Sequence, residues 1–519
     1  MIILNKKSLV FLFTVILILQ ACSTGKKSEQ SDENTNDDEE EVLIVARKSD
    51  VTNLDPHFIV DITTANVLYQ KVYETLVKPD SDMVAQPHLA TDWSQIDEVT
   101  WKFNLREDVE FHDGTKFDAT AVKATFDRLL DPDTKSPQAD KLSMIDEIEI
   151  VNDHEVVFHL TNPYAPLLSI LASNEGSILN PTTIKDEPES LKKIANGTGP
   201  FVFEEWKSGE VVILKRNDDY WGNPAHVVGI EFKVVPEDAT RLAMIESGEA
   251  HVMDQVPVNE IGRIESSDSI ELYRAEGLGV EFVGFNTEKY PVDNALVRKA
   301  ISHALDRESI LSGVFNDVGL LGNSTMSPKV FGYDETLEPY PFDPKISKQL
   351  LKEANFDFSE KLILLTADRA ERINLAEVVQ SQLKDVGIEV EVQVLEYGAY
   401  IDANQNQDGH LFNGSWGNAT GDGDYNQYNL FHSNSHGSAG NYQYYTNDKV
   451  DALLDQARSE MDDDKRKSLY SEAQRIELED SVVVPIRSYE NLAAYHTSVE
   501  GVELNPVNYL IMDDIKINK

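Results

Sequence analysis

The stretch Leu89–Asp131, LATDWSQIDEVTWKFNLREDVEFHDGTKFDATAVKATFDRLLD, carries at its centre Trp101, Phe103 and Leu105 in alternation with Lys102 and Asn104. An apolar side chain at every second position gives one buried and one wet face, which is the pattern of a strand. Val156, Phe158 and Leu160 repeat it, and so do Ile388, Val390, Val392 and Val394 against Glu389, Glu391 and Gln393. Elsewhere the period lengthens. Leu296, Val297, Ala300, Ile301, Ala304 and Leu305 keep helical spacing, as do Val450, Leu453, Leu454, Ala457 and Met461 behind the capping candidates Thr446 and Asn447. Strands mixed with core-facing helices predict an α/β body. From Val42 onward the chain exceeds the roughly 250–300 residues that one core organises, so two or three domains are expected.

The N-terminus predicts export. Lys6 and Lys7 precede an apolar run, Leu9–Leu19, broken only by Thr14 and followed by Gln20, Ala21 and Cys22. The run is short of the ~20 residues that span a bilayer and has the parts of a secretory signal. Leu19-Gln20-Ala21-Cys22 resembles a bacterial lipobox, in which the cysteine is lipidated and becomes the mature N-terminus. Cys22 is the only cysteine in 519 residues, so no intrachain disulfide or thiolate metal cluster can form. Ser23–Glu41 contains no large apolar residue and reads as a flexible tether, because it cannot bury enough surface to offset its ordering entropy.

Charge and motifs exclude more than they assign. The chain has 91 acidic and 46 basic residues, a net charge of −45, which opposes binding to nucleic acid. Gly277-Leu278-Gly279 begins a dinucleotide-like pattern that fails at Phe282, and its surroundings read as a strand. Gly197-Thr198-Gly199-Pro200 lacks the lysine and spacing of a phosphate loop, and neither Gly-x-Ser-x-Gly nor His-Glu-x-x-His occurs. His432 and His436 are expected in a solvent-facing loop rather than on a shared metal face, since Ser435 and Gly437 disfavour a helix there. No cofactor and no metal are expected.

The 89–131 stretch resembles the signature region of the extracytoplasmic solute-binding proteins of family 5, which serve peptide, nickel and glutathione ABC importers. Further blocks follow in the order of that family: GTGPFVFEEWKSGEVVILKRNDDYWG from Gly197, GFNTEKYPVDNALVRKAISHALDRESI from Gly284 and YSEAQRIELEDSVVVPI from Tyr470. The resemblance implies a two-lobe, hinged, periplasmic-binding-protein-like α/β fold with mixed sheets. It places a signal at residues 1–21, a lipid-anchored tether at 22–41, the first lobe at 42–80, 197–275 and 486–519, its extra subdomain at 81–196, and the second lobe at 276–485. It also implies a monomer outside the cytoplasm, held to the membrane through Cys22, that binds a small peptide or glutathione and delivers it to ABC importer permease subunits. A receptor for a nickel chelate or another cationic solute is the alternative; an exported hydrolase, for which no nucleophile–base set can be assembled, is a remoter one.

The site expectations centre on SWGNATGDGDYNQYNLFHS, Ser415–Ser433, which resembles glutathione-binding members in its Thr-Gly-acidic-x-Asp-aromatic run. By that resemblance Asp424 stands where peptide-binding relatives carry an aspartate for the ligand ammonium. Asp422 either shares the role or holds the turn, and Trp416 and Tyr425 flank the site. With no lysine or arginine near it in sequence, Asp424 is expected to be free for a cation brought by the ligand. Arg369 lies near where dipeptide-binding relatives place an arginine for the ligand carboxylate, with Arg372 as its rival. A guanidinium fork matches a carboxylate through two parallel bonds.

The N-terminal reading generates the first prediction. In the native host the protein should carry at least two acyl chains on Cys22, since one chain anchors only marginally, and Cys22→Ala should abolish them. Mass spectrometry of the N-terminal fragment checks this; a non-acylated protein cut elsewhere contradicts it.

Overall fold

In the computed structural model, which describes residues 41–437 and 440–518, the two alternating segments become the strands Thr100–Leu105 and Glu155–Leu160. The signal segment, Cys22 and the tether up to residue 40 lie outside the described residues. The two strands pair antiparallel, with Trp101 opposite Phe158 and Phe103 opposite Val156. Ala90–Asp97 and Ile145–Asn152 complete a four-stranded sheet. All six alternating apolar residues are buried. The helix Ala119–Leu130 packs on them, started by the Asp118 carboxylate, which accepts the Thr120 and Ala121 amides. Phe103 and Phe126 both meet Phe158 edge-on, with ring centroids 5.1 and 5.5 Å from it. This sheet and helix are the core of an extra subdomain.

Among the described residues the main sheet has eleven strands, one of which, Leu320–Leu321, lies off its main path and pairs at Ser488 and Arg487. Its two longest, Ile270–Phe285 and Val483–His496, run antiparallel from Ile270 opposite His496 to Gly284 opposite Val483. On one side, Val252–Met253 joins this pair to Val42–Arg47, Gly229–Val234, Val211–Arg216 and Phe201–Lys207. On the other side, Val280–Phe285 pairs with Leu411–Trp416, followed by Lys361–Ala367 and Glu389–Leu395. Separate apolar cores sit on the two sides, one built around Leu43, Phe201 and Phe232, the other around Val283, Ile301 and Leu364. The molecule is therefore a mixed α/β protein of two lobes plus the extra subdomain. Between Glu276 and Val280 the register of the long pair shifts. Gly279 sits at that shift because a Cβ there would lie 2.3 Å from Cδ2 of Tyr489.

The helices differ from expectation at their ends. Asn447 does cap Asp448–Ser459, accepting the Lys449 and Val450 amides, but the helix stops before Met461. Ala295–Ala304 holds the other apolar stripe, capped by Asn294. Of the Ile388–Val394 alternation, Ile388 and Val390 are buried while Val394 is exposed, because this strand forms the edge of the sheet. Residues 417–433 are not a plain turn: Asp422 caps a helix, Gly423–Phe431. His432 is not in a solvent-facing loop either. It is buried, stacked on Tyr428 at 4.2 Å and 3.3 Å from Asp455.

Phe158→Ala should remove the centre of the subdomain core and cost about 3–5 kcal/mol of local stability. Hydrogen exchange at the Thr100–Leu105 amides should accelerate accordingly, with the main sheet unaffected.

Candidate functional site

The first lobe, the extra subdomain and the second lobe all contribute to one cavity of about 680 Å³. The first lobe supplies the segment around Asp61, whose carboxylate caps the helix Ile62–Leu68 by accepting the Thr64 amide at 2.7 Å. The subdomain supplies Lys141 and Glu175, which form an ion pair. Burial alone would raise Glu175, but Lys141, the Ser173 hydroxyl and a backbone amide together hold the carboxylate below its ordinary pKa. The second lobe supplies the aromatic walls. Trp416, at the end of its strand, donates its indole N–H to the Tyr425 carbonyl at 3.1 Å, and the two rings lie 5.6 Å apart. Lys141 reaches across to lie 5.0 Å over the Tyr425 ring.

The structure separates the two candidate arginines. Arg372 is half-buried and committed: its Nη1 lies 3.1 Å from Glu281, which also receives Arg487 Nε at 3.0 Å. Burial acts to lower the Arg372 pKa, but Glu281, Tyr489, Tyr400 and Glu371 together raise it above the ordinary value. Arg369 immediately precedes the helix Ala370–Asp385, is exposed on the cavity wall and lies 5.2 Å over the Tyr397 ring. Among the described residues Arg369 makes no ion pair, and neither does Asp61 on the same cavity. Asn174 and Asn413, also in the wall, each keep a buried side-chain oxygen without a hydrogen-bond donor among the described residues.

The expectation that Asp424 is free needs correction, while Asp422 takes the second of its two expected roles and holds the turn. Asp424 is not free for a ligand cation, because Arg458 Nε and Nη2 donate to its two oxygens at 2.9 and 3.0 Å and Tyr164 donates at 3.2 Å. Asp422 is held by both terminal nitrogens of Arg466, at 2.7 and 2.6 Å, while accepting the Asp424 amide at 2.8 Å. Both carboxylates are buried, and neither lines the cavity. The arginines come from the helices Asp448–Ser459 and Asp463–Glu479, 34 and 44 residues downstream. The site is thus a cavity with aromatic walls and charges of both signs, and the aspartate pair braces the helix behind it.

Comparison with known proteins agrees with this architecture. The sequence profile of the bacterial extracellular solute-binding proteins, family 5 Middle, matches residues 84–438. The chain belongs to this family. The glutathione-binding protein GsiB of Salmonella paratyphi A is 27% identical over 481 residues, covering 91% of this chain and 93% of that protein. The probable D,D-dipeptide-binding periplasmic protein DdpA of Escherichia coli K12 is 27% identical over 475 residues, covering 89% and 92%. The crystal structure of a dipeptide-binding protein from Pseudoalteromonas sp. SM9913 in complex with Met-Leu superimposes with a TM-score of 0.81 at 25% identity, covering 92% and 100%.

In this family 5 chain, sequence reading missed Asp61, Lys141, Asn174, Glu175 and Asn413. None sits in a motif, and each becomes a cavity residue only because distant segments converge. Asp422→Asn should leave Arg466, itself buried, without its counter-charge and destabilise the second lobe by about 3–5 kcal/mol. A thermal melt without any ligand checks this; an unchanged melting temperature contradicts the bracing role.

Proposed function

We propose that this protein is the extracytoplasmic receptor of an ABC importer for small peptides, from dipeptides to short oligopeptides including glutathione. It captures them between its lobes and hands them to a membrane permease, anchored through lipid on Cys22. The observation that carries the reading is one cavity lined by an arginine and an aspartate, Arg369 and Asp61, neither of which has an ionic partner among the described residues. A peptide is a zwitterion with one group for each. Its carboxylate matches the Arg369 fork, and its ammonium matches Asp61, in place of the Asp424 that Arg458 occupies. The peptide units match the free oxygens of Asn174 and Asn413, and side chains match the aromatic walls. Relatives named for glutathione and dipeptide binding support the same class. Closure proceeds about Glu276–Gly279 and Ile486–Glu490, where the long strands pass from one lobe to the other.

Calorimetry with trialanine, its C-terminal amide and its N-acetyl form tests the assignment. Arg369→Gln should weaken trialanine by about tenfold or more and leave the amide almost unaffected, because the partner charge is already gone. Asp61→Asn should do the same for trialanine against its acetylated form. Peptide recovered after denaturation should be intact. Additive losses in both cycles, or cleaved peptide, refute the reading.

A further inference from the structure

A second cavity, of about 750 Å³, shares Tyr509 with the first but is otherwise lined by different residues. Its wall is organised by one buried carboxylate. Glu74 accepts the Tyr220 hydroxyl at 2.6 Å, the Trp221 indole N–H at 2.9 Å and the Thr198 hydroxyl at 2.7 Å, and lies 2.9 Å from His88 Nε2. Burial by itself would raise the Glu74 pKa, but His88 and the Tyr220 and Trp221 donors hold it below the ordinary range. Arg106 lies 4.2 Å over the Trp221 ring and donates to the His88 carbonyl at 2.8 Å. The aromatic side chains are therefore fixed in place before any ligand arrives.

Lys71 belongs to the same wall and is 2% exposed. Among the described residues its ammonium has a single hydrogen bond, 3.4 Å long, to Asn66 Oδ1, and that oxygen already accepts the Leu510 amide at 2.8 Å. Among the described residues Lys71 makes no ion pair. Lysine is almost never fully buried without a partner, because an ammonium removed from water loses hydration that only an anion or several acceptors replace. Burial lowers its pKa to about 7, with Asp513 acting upward and Arg47 downward.

We infer that this cavity is a second ligand site, for a small monocarboxylate with an aromatic or aliphatic body: the carboxylate pairs with Lys71 and the body lies along Trp221 and Tyr273. The remaining lining limits the charge. Asp80, Glu276, Glu503, Asp513 and Asp514 face the same cavity against Lys71, Lys78, Arg106 and Lys329, and Lys329 is already paired with Asp82 at 2.8 Å, so the lining has no cationic excess to offset a phosphate or dicarboxylate. A single carboxylate supplies the missing counter-ion without further negative charge.

Phenylacetate is the probe, with phenylethylamine and 2-phenylethanol as its cationic and neutral counterparts, titrated into the full chain by calorimetry. Phenylacetate should bind one to one and at least about tenfold tighter than either counterpart. Lys71→Met should abolish that preference, and Arg369→Gln should retain it. A crystal grown with 4-bromophenylacetate should place the bromine beside Trp221 or Tyr273 and the carboxylate on Lys71, and this measurement decides alone if Lys71→Met does not fold. The inference is overturned if phenylacetate does not bind, if Lys71→Met binds it equally well, or if the bromine lies in the cavity of Arg369.

Discussion

The pairing of Ile270–Phe285 with Val483–His496 is the constraint on which the rest depends. Each strand enters one core at one end and the other core at the opposite end, so neither lobe completes its sheet without them. Backbone hydrogen bonds fix the pair on both sides of the shift at Glu276–Val280. At the shift itself, side-chain crowding by Tyr489 and Asn491 demands the glycines 277 and 279. The cavity of about 680 Å³ lies where material from the two sides meets, and Glu281 ties the crossing strands to Arg372 in its wall.

Polar groups are satisfied very unequally around that frame. Asp422 and Asp424 are saturated by arginines, whereas Arg369 and Asp61 make no ion pair and the side-chain oxygens of Asn174 and Asn413 receive no hydrogen-bond donor among the described residues. A net charge of −45 makes an arginine that has escaped pairing more informative than it would be in a balanced chain. Buried ionic groups are ordinarily paired, because a lone charge in a low-dielectric interior loses its hydration without replacement. By the same reasoning Lys71 stands out.

How much of this was legible in the sequence depends on the range of the interaction. The strands at Trp101–Leu105 and Val156–Leu160, and the helix capped by Asn447, were readable because periodicity and capping are local. Family membership was readable from long blocks in a fixed order. The ion pairs of Asp422 and Asp424 were not foreseen because the arginines that bind them lie 44 and 34 residues away, brought back by two successive helices. A search for nearby bases cannot see that. The pairing of Lys141 with Glu175 and the exposure of Arg369 relative to Arg372 were invisible for the same reason. In sequence the two arginines are three positions apart, and only Glu281, on a distant strand, distinguishes them.

The bracing of residues 422–424 has a consequence for how such a receptor changes over generations. The carboxylates that hold the helix behind the cavity are different residues from the aromatics that line it. Substitutions at Trp416, Tyr425 or Tyr397 can therefore be sampled while Asp422–Arg466 and Asp424–Arg458 keep the backbone fixed. Scaffold and cavity lining are separately mutable, so the lining can change without passing through an unfolded ancestor.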